Sequence, residues 1–438
     1  MVVAWLVVAI PVAIWLAEGG WTAMSASVAG AVTGLGILAG LVGTASMVLM
    51  LWLAARVPFI DRTIGHDRAL GLHADLGQAT ILALLLHAVF LVTGYALADG
   101  SSWLGEWASL WGTSDLALAI VAMVGLGAVA VTSVATARRR LPHEAWHGVH
   151  LLTYAAVLLA LPHQFTSGEL FADGPAFWFW SGLWGLTFLV FLTHRVFLPV
   201  FVTLEHRPVV SRVRWETRDT VSIEVTGRHL GKLGIQAGQF LHWRFLAPGL
   251  WWHQHPFSVS AAPHGDTVRL TMRILGSGTE RIAHRLRPGT RVAIEGPYGR
   301  FTEESRTSPG VVLVGIGIGV APLRALLETT TVVPGHATVV LRARTADDIA
   351  HLGEFEAWCD HRGAQLVVLT GRRGFRRDRT TSWLPQSHAD VGLRGLVDDL
   401  AHCDVYVCGP EGAAEQVLAE ARASGTPADH LHHERFSW

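Results

Sequence analysis

The stretch LHADLGQATILALLLHAVFLVTGYAL, Leu72 to Leu97, decides how the rest of the chain is read. At ~1.5 Å per residue it is long enough to cross a bilayer. It carries two histidines, His73 and His87, fourteen residues and roughly 21 Å of helix apart. Fourteen steps of about 100° fall only about 40° short of four turns. Both imidazoles therefore sit on one face, one toward each membrane surface.

A second apolar stretch, Ala145 to Phe165, repeats the device: AWHGVHLLTYAAVLLALPHQF holds His150 and His163, thirteen residues or roughly 20 Å apart. Two histidines on each of two helices, at matching heights, make two stacked pairs, and each pair can bind a haem iron from both sides. An ionisable side chain inside a span is a functional hypothesis by default. Buried histidines bonded to neighbouring helices are the plain alternative for any one of them, and a much weaker one for a matched set of four. Thirteen residues leave an ideal helix about 140° out of register. Pro162 lacks a backbone donor just before His163 and can distort that turn. His143 and His147 do no better on angle and lie too far from His163 in height, so His150 is retained.

Composition agrees with a membrane protein carrying a soluble portion. The chain has 438 residues, more than one domain holds, with 50% hydrophobic and 16% charged residues and a mean hydropathy of +0.36. Charges are sparse up to about Thr203 and ordinary beyond it. A net charge of −1 and the lack of a basic tract beyond Arg138-Arg139-Arg140 argue against a nucleic-acid partner. Cys359, Cys403 and Cys408, all in the soluble half, suggest a reducing compartment and no disulfide framework. The N-terminus lacks a basic leader and a cleavage site, so it reads as a first membrane helix.

Six spans are expected: Val2–Leu16 (short, with Pro11 inside it), Leu35–Ala55, Leu72–Leu97, Leu116–Ala137, Ala145–Phe165 and Phe177–Leu198. Arg56, Arg62, Arg68 and Arg138 to Arg140 fall in one set of loops. Asp99, Glu106, Asp115, Glu169 and Asp173 fall in the other. The positive-inside rule then puts both termini in the cytoplasm, His73 and His150 at the cytoplasmic level, and His87 and His163 at the outer one. Trp103, Trp107, Trp111 and Trp178 suit an interfacial belt.

Beyond Leu204 the pattern changes. Arg212–Glu216, Thr220–Val225, Phe240–Phe245 and Thr267–Ile274 read as strands of a small antiparallel barrel. From Val311–Val314 an α/β pattern follows: a glycine turn, a helix from Pro322, and strands at Thr338–Leu341, Gln365–Leu369 and Asp404–Val407. That is a parallel sheet with helical crossovers. No internal repeat or low-complexity tract interrupts it.

The chemistry sits on short stretches of these elements. His255-Pro256-Phe257-Ser258 lies on a barrel strand and is followed by Arg273 and by Gly276-Ser277-Gly278-Thr279. A flavin needs a flat apolar wall, hydrogen bonds at its ring edge and donors for its pyrophosphate. Phe257 with Ser258 suits the first two, and Arg273 with the amides of the glycine turn suits the third. Gly296-Pro297-Tyr298-Gly299 reads as a turn closing the barrel. Gly315-Ile316-Gly317-Ile318-Gly319-Val320-Ala321-Pro322 follows a strand and opens a helix, so its amides can face a dinucleotide pyrophosphate. Cys408-Gly409-Pro410 ends another strand at the carboxyl edge, where ligands of such sheets bind; a structural cysteine is the alternative. Arg342 and Arg344, then Arg372 and Arg373, end or follow strands and suit a 2′-phosphate, or are simply solvated.

Taken together, the paired histidines, HPFS, GPYG, GIGIGVAP, VCGP and the terminal HHERFSW resemble the ferric reductase and NADPH oxidase superfamily of flavocytochromes b. The resemblance covers the chain from about Leu35. It implies two b-type haems, one held by His73 with His150 and one by His87 with His163. It also implies FAD and NADPH (or NADH) on a module similar to ferredoxin–NADP reductase, with Phe436, or else Trp438, covering the flavin. No calcium-binding extension is seen, which suggests constitutive or partner-controlled activity. The expected division is a six-helix di-haem bundle over residues 1–203, an FAD-binding barrel over 204–306 and an α/β NAD(P)H-binding domain over 307–438. The expected function is electron transfer from cytoplasmic NAD(P)H across the plasma membrane, embedded in lipid, to dioxygen or a ferric chelate. The rival is a six-helix ion conductor with a soluble regulatory domain, which calls for a charged stripe within a span.

Overall fold

The computed structural model describes residues 2–134, 143–166 and 174–435. The expectations placed on Arg138 to Arg140, Glu169, Asp173, Phe436 and Trp438 lie outside the described residues. The chain forms two compact units, Met1–Ile60 with Arg68–Arg195, and Asp61–Asp67 with Val196–Trp438.

In the first unit, α1 (Val2–Trp15) runs through a π-helical turn at Leu16–Gly20 into α2 (Trp21–Ala26). Gly19 takes φ +97° inside that turn, a conformation most side chains resist. The first span is thereby Val2–Ala26, longer than the apolar run ending at Leu16 suggests. Then follow in chain order α3 (Val28–Ala54), α4 (Pro58–Ile64), α5 (His66–Asp99), α6 (Trp103–Trp111), α7 (Ser114–Ser133), α8 (His143–Thr166) and α9 (Pro175–Leu192), with Asp61–Asp67 of α4 and α5 counted in the second unit. Ser27 caps α3 by accepting the Gly30 amide at 2.9 Å, and Ser102 caps α6 by accepting the Gly105 amide at 3.0 Å. Among the described residues six helical stretches are long and apolar enough to cross a membrane, in the order expected. Trp103 and Trp107 stack on α6, and Trp103, Trp111 and Trp178 are exposed. Lipid offers no hydrophobic force between helices, so small residues must bring backbones close. A Cβ added at Gly36 would lie 3.0 Å from Leu91, and one at Gly43 2.8 Å from Leu84. The close approach of α3 to α5 therefore depends on glycine.

In the second unit, α10 (Leu198–His206) packs Val202 onto the core of a barrel. The barrel is β1 (Val209–Trp215), β2 (Thr220–Thr226), β3 (Phe240–Phe245), β4 (His255–Ser258), β5 (Thr267–Arg273) and β6 (Val292–Tyr298). Antiparallel sheets in the orders β1-β2-β5 and β4-β3-β6 are linked by bridges at Val209–Arg291 and Val259–Leu270. Ile223, Leu241, Trp243 and Leu270 fill the interior, and the Trp243 indole donates to the Phe257 carbonyl at 3.0 Å. GPYG is not the closing turn expected of it. Gly296 to Tyr298 belong to β6, because a shift in register lets the strand pair on to Tyr298–Phe240.

After α11 (Ser277–Arg285) comes a parallel sheet. Its strands and helices are β7 (Gly310–Ile316), α12 (Val320–Thr329), β8 (Ala337–Arg342), α13 (Leu352–Arg362) and β9 (Gln365–Leu369). They continue with the hairpin β10 (Arg373–Phe375) and β11 (Thr381–Pro385), then β12 (Cys403–Gly409), α14 (Glu411–Ala423) and β13 (Leu431–Arg435). The order β13-β12-β7-β8-β9 makes β7 the strand from which the chain later crosses to the opposite side. Ligands of such sheets bind at that switch point. β7 and β12 are buried throughout, as a sheet covered on both faces requires. The hairpin and β13 go beyond the sequence reading.

One fully buried carboxylate fastens this sheet. Asp404 accepts the amides of Thr307 at 3.0 Å and Ser308 at 2.5 Å, and His432 Nε2 lies 2.6 Å from it. Replacing Asp404 by Ala leaves two amides and an imidazole without partners, a loss of about 3 kcal/mol. The melting midpoint of detergent-solubilised protein, followed by tryptophan fluorescence, should fall by several degrees; an unchanged midpoint would show that the three donors find other acceptors.

Candidate functional site

Strand β4 is held between β3 and the barrel interior, so its side chains have little freedom. Phe257 and Ser258 are buried, and with Pro256, Met272 and Arg273 they line a cleft. Ile318 and Ala321 of the glycine-rich segment line the same cleft. The Ser258 hydroxyl is buried there with no hydrogen-bond partner, the state expected of a group reserved for a ligand's polar edge. A flat ring against Phe257 fits these residues.

Arg273 donates from Nε to Asp219 at 2.7 Å. Burial works to raise the Asp219 carboxyl, but Arg273 and the hydroxyls of Thr220 and Thr217 outweigh it and hold the group below the usual range. A Cβ on Gly317 would lie 3.7 Å from Arg273 Nη1, so the guanidinium's outer edge borders the glycine-rich turn. The 276–279 turn opens α11, where Thr279 Oγ1 accepts the amides of Leu275 at 3.0 Å and Gly276 at 3.3 Å. Thr279 is thus a cap, and the amides of Ser277 and Gly278 remain for an anion at the helix N-terminus. Gly278 approaches His255, whose ring stacks on Phe257 at 5.7 Å.

The second half of the site forms where β7 and β12 end side by side, Gly315 level with Cys408. Gly317 takes φ +60°. A Cβ on Gly319 would fall on the Cys408 carbonyl and 2.7 Å from the Gly409 nitrogen, and one on Gly409 would meet Ile316 Cβ at 2.7 Å. Only glycine lets the two strand ends close like this. The helix begins at Val320, ahead of the expected Pro322, and α14 begins just after Pro410. Two helix N-termini therefore point at one edge. Cys408 is fully buried, its sulfur 3.8 Å from the Glu434 carbonyl.

The arginines divide. Arg342, expected at the nucleotide, is instead consumed within the sheet, donating to the carbonyls of Trp383 at 3.1 Å, Gly371 at 2.8 Å and Ala343. Nε and both terminal nitrogens each donate to a carbonyl of the fold, so this guanidinium is held by the sheet's own strand ends and hairpin. Arg344, Arg372 and Arg373 are exposed, and the Gly371 amide bonds to the Arg344 carbonyl, drawing their loops together.

A buried polar chain joins the barrel to the sheet. Thr271, which lines the cleft, lies 2.9 Å from His351 Nε2 and 2.7 Å from Ser260. His351 Nδ1 is 3.3 Å from Glu354, which takes a two-point contact from Arg269 at 2.8 and 2.9 Å and also pairs with Arg324.

In the first unit, the His73 and His150 ring centroids are 6.1 Å apart, and those of His87 and His163 6.5 Å. A metal ion between two imidazoles, with bonds of about 2 Å, separates ring centroids by roughly 6 Å. His73 Nδ1 lies 3.1 Å from the Met50 carbonyl and His87 Nδ1 2.9 Å from the Gly36 carbonyl. A carbonyl can only accept, so both Nδ1 atoms carry the proton and both Nε2 atoms are bare. That is the tautomer a metal ligand needs, and the residues fit haem. His150, rather than His147, meets His73, and α8 runs on through Pro162 to His163. Among the described residues no cluster of three or more His, Cys, Asp or Glu side chains is arranged to hold a metal ion.

Sequence reasoning missed Asp219, Gly36 and Met50. Asp219 meets Arg273 across 54 residues, and Gly36 and Met50 act through backbone carbonyls, so no local pattern marks them.

Two substitutions test this geometry. Gly319→Ala should raise the nicotinamide-nucleotide KM at least about tenfold, about 1.4 kcal/mol, while flavin content stays unchanged; an unaltered KM would place the nucleotide elsewhere. Arg344→Ala should weaken NADPH binding by about 1–3 kcal/mol and leave NADH nearly unaffected. Equal losses would make Arg344 structural.

Comparison with known proteins agrees with both halves. Residues 39–161 match the family described as ferric reductase like transmembrane component, and residues 208–302 match an FAD-binding domain. An NADPH oxidoreductase of Mycobacterium tuberculosis is 28% identical over 255 residues, 55% of this chain and 62% of that protein. A probable dihydroorotate dehydrogenase B (NAD(+)) electron transfer subunit of Methanothermobacter thermautotrophicus is 32% identical over 209 residues, 46% of this chain and 68% of that protein. The FAD/NAD-binding domain of a nitric oxide dioxygenase from Vibrio cholerae superposes with a TM-score of 0.43 at 21% identity, over 53% of this chain and 99% of that one. The chain thus joins a ferric reductase like transmembrane component to an FAD-binding, reductase-like second half, the combination that marks the ferric reductase and NADPH oxidase superfamily, and it spans about three fifths of the length of the Mycobacterium tuberculosis relative.

Proposed function

We propose that the protein moves electrons from cytoplasmic NADPH across the plasma membrane, through FAD and two b-type haems, to an external acceptor, either a ferric chelate or dioxygen. The observation that carries this reading is the pair of opposed imidazoles at each of two levels, 6.1 and 6.5 Å between centroids. When bound, flavin takes up a hydride and releases electrons singly, and haem iron passes them on one at a time. The chain's own groups bind, orient and insulate. His73 with His150 hold the inner haem, and His87 with His163 the outer one. Residues 1–203 form the haem bundle, 204–306 the flavin barrel and 307–438 the nucleotide domain.

Phe257 supplies the apolar wall for the flavin, the Ser258 hydroxyl bonds its edge, and Arg273 with the amides of Ser277 and Gly278 neutralises its pyrophosphate. The Gly315–Gly319 turn and Cys408-Gly409-Pro410 receive the NADPH diphosphate and nicotinamide, and Arg344, Arg372 and Arg373 the 2′-phosphate. Phe436, the aromatic of the terminal HHERFSW, is assigned to cover the flavin. Arg56, Arg62 and Arg68 against Asp99, Glu106 and Asp115 support cytoplasmic termini. No step needs a general acid or base.

The test is His163→Leu, similar in bulk but unable to bind iron. The outer haem should be lost or loosely held and the inner one kept. Under anaerobic conditions NADPH should then still reduce the flavin and the inner haem, while reduction of ferric citrate or dioxygen, added separately, stops. A variant with both haems and full external activity would overturn the ligand assignment. In the unaltered protein, the addition that reoxidises the haems faster identifies the acceptor.

A further inference from the structure

We propose that Gly40 is a positioning residue for His87, and that α3 thereby makes the two axial ligands of the outer haem unequal. The proposal rests on the reading of His87 and His163 as haem ligands. A Cβ built on Gly40 would stand 2.5 Å from His87 Nδ1 and 2.8 Å from its Cε1. No side-chain rotation at an alanine could relieve that contact, because a methyl group has nowhere else to go. One turn earlier on the same helix, the Gly36 carbonyl takes the Nδ1 proton of His87 at 2.9 Å. The bare α-carbon at position 40 is what lets the ring reach that carbonyl. Gly36 supplies the acceptor and Gly40 the space.

The α8 ligands have no such support. Nδ1 of His163 and of His150 are buried without a hydrogen-bond partner on another helix, and the one backbone acceptor beside His163 is the Ala160 carbonyl of α8 itself. Each pair thus contains one α5 imidazole tied to a backbone carbonyl of α3 and one α8 imidazole that is not. A hydrogen bond from Nδ1 to a carbonyl orients a ligating histidine, raises its basicity and strengthens its bond to the metal. A stronger donor favours ferric over ferrous iron, so the tie to Gly36 holds the outer haem's reduction potential down. His87 is the fixed, strong ligand and His163 the weaker one.

The test compares Gly40→Ala with Gly34→Ala in the whole chain. Gly34 lies on the same helix, but its added Cβ would press on the flexible Met24 side chain of α2 and not on α5 or a histidine. Haem-to-protein ratio and an optical redox titration are the readouts. Gly40→Ala should displace His87 from the Gly36 carbonyl and weaken outer-haem affinity by roughly 10–100-fold. In molecules that keep the haem, its potential should rise by the equivalent of about tenfold in the redox equilibrium, about 59 mV for one electron. The inner haem should not change in either variant, and Gly34→Ala should leave both potentials alone. Unchanged outer-haem content and potential in Gly40→Ala would overturn the proposal, as would equal shifts in both variants. Wild-type protein with histidine-specific nitrogen labelling gives a check independent of folding. Hyperfine spectra of each ferric haem should resolve two unequal axial nitrogens, and equal nitrogens would overturn the inequality. If wild-type protein binds no haem at all, the ligand reading itself fails; if it binds haem and Gly40→Ala behaves as wild type, only the role of Gly40 fails.

Discussion

An imidazole inside a membrane span must satisfy two nitrogens without help from water, and the first unit is arranged around that requirement. An unpaired polar group in an apolar interior costs several kcal/mol. On α5 the chain meets the cost with backbone carbonyls of α3, Met50 for His73 and Gly36 for His87. Helical carbonyls are normally consumed within their own helix, so a second acceptance requires the helices to lie close. Glycines on α3 make that approach possible. The proton on Nδ1 then leaves Nε2 facing its counterpart on α8. Packing, tautomer and metal-binding capacity follow from one another.

The second unit is arranged differently, with helix N-termini and close backbone approach where few cations are buried, an arrangement suited to anionic phosphate. Gly319 against Cys408 and Gly409 against Ile316 are contacts that any side chain would block. Arginine is used sparingly near the cleft: Arg273 is already partnered by Asp219, and Arg342 serves the sheet's own carbonyls. The charge left at the strand ends, on Arg344, Arg372 and Arg373, stands away from the buried centre.

Much of this was legible in the sequence because apolar periodicity and glycine-rich turns are local signals. Six spans, the strands β3 and β9 to the residue, and the glycine turn before α12 all follow from such signals. What escaped was non-local. Arg342 ends a strand like any phosphate ligand, and only the folded positions of Trp383 and Gly371 reveal its structural use. GPYG has turn composition, yet β3 recruits it into β6. The first span looked short because Gly19 lets the helix pass through a π turn that no hydropathy pattern records. Thirteen residues between His150 and His163 look out of phase on an ideal helix, although both rings meet their partners across α5.

The contact of Glu354 with Arg269, Arg324 and His351 makes a latch between barrel and sheet. It ties α13 and α12 to β5, directly behind the cleft, with three cationic or hydrogen-bonding partners on one carboxylate. Burial alone would raise the Glu354 pKa, but His351, Arg269 and Arg324 together hold it far below the ordinary glutamate value of about 4.3. A carboxyl depressed in the folded state contributes stability that is fully present above its unfolded pKa and disappears as pH falls through the folded one. Near neutrality the latch is therefore shut. Arg269 of β5 and Arg324 of α12 are then held on one carboxylate of α13. Acid would be the condition that unfastens them.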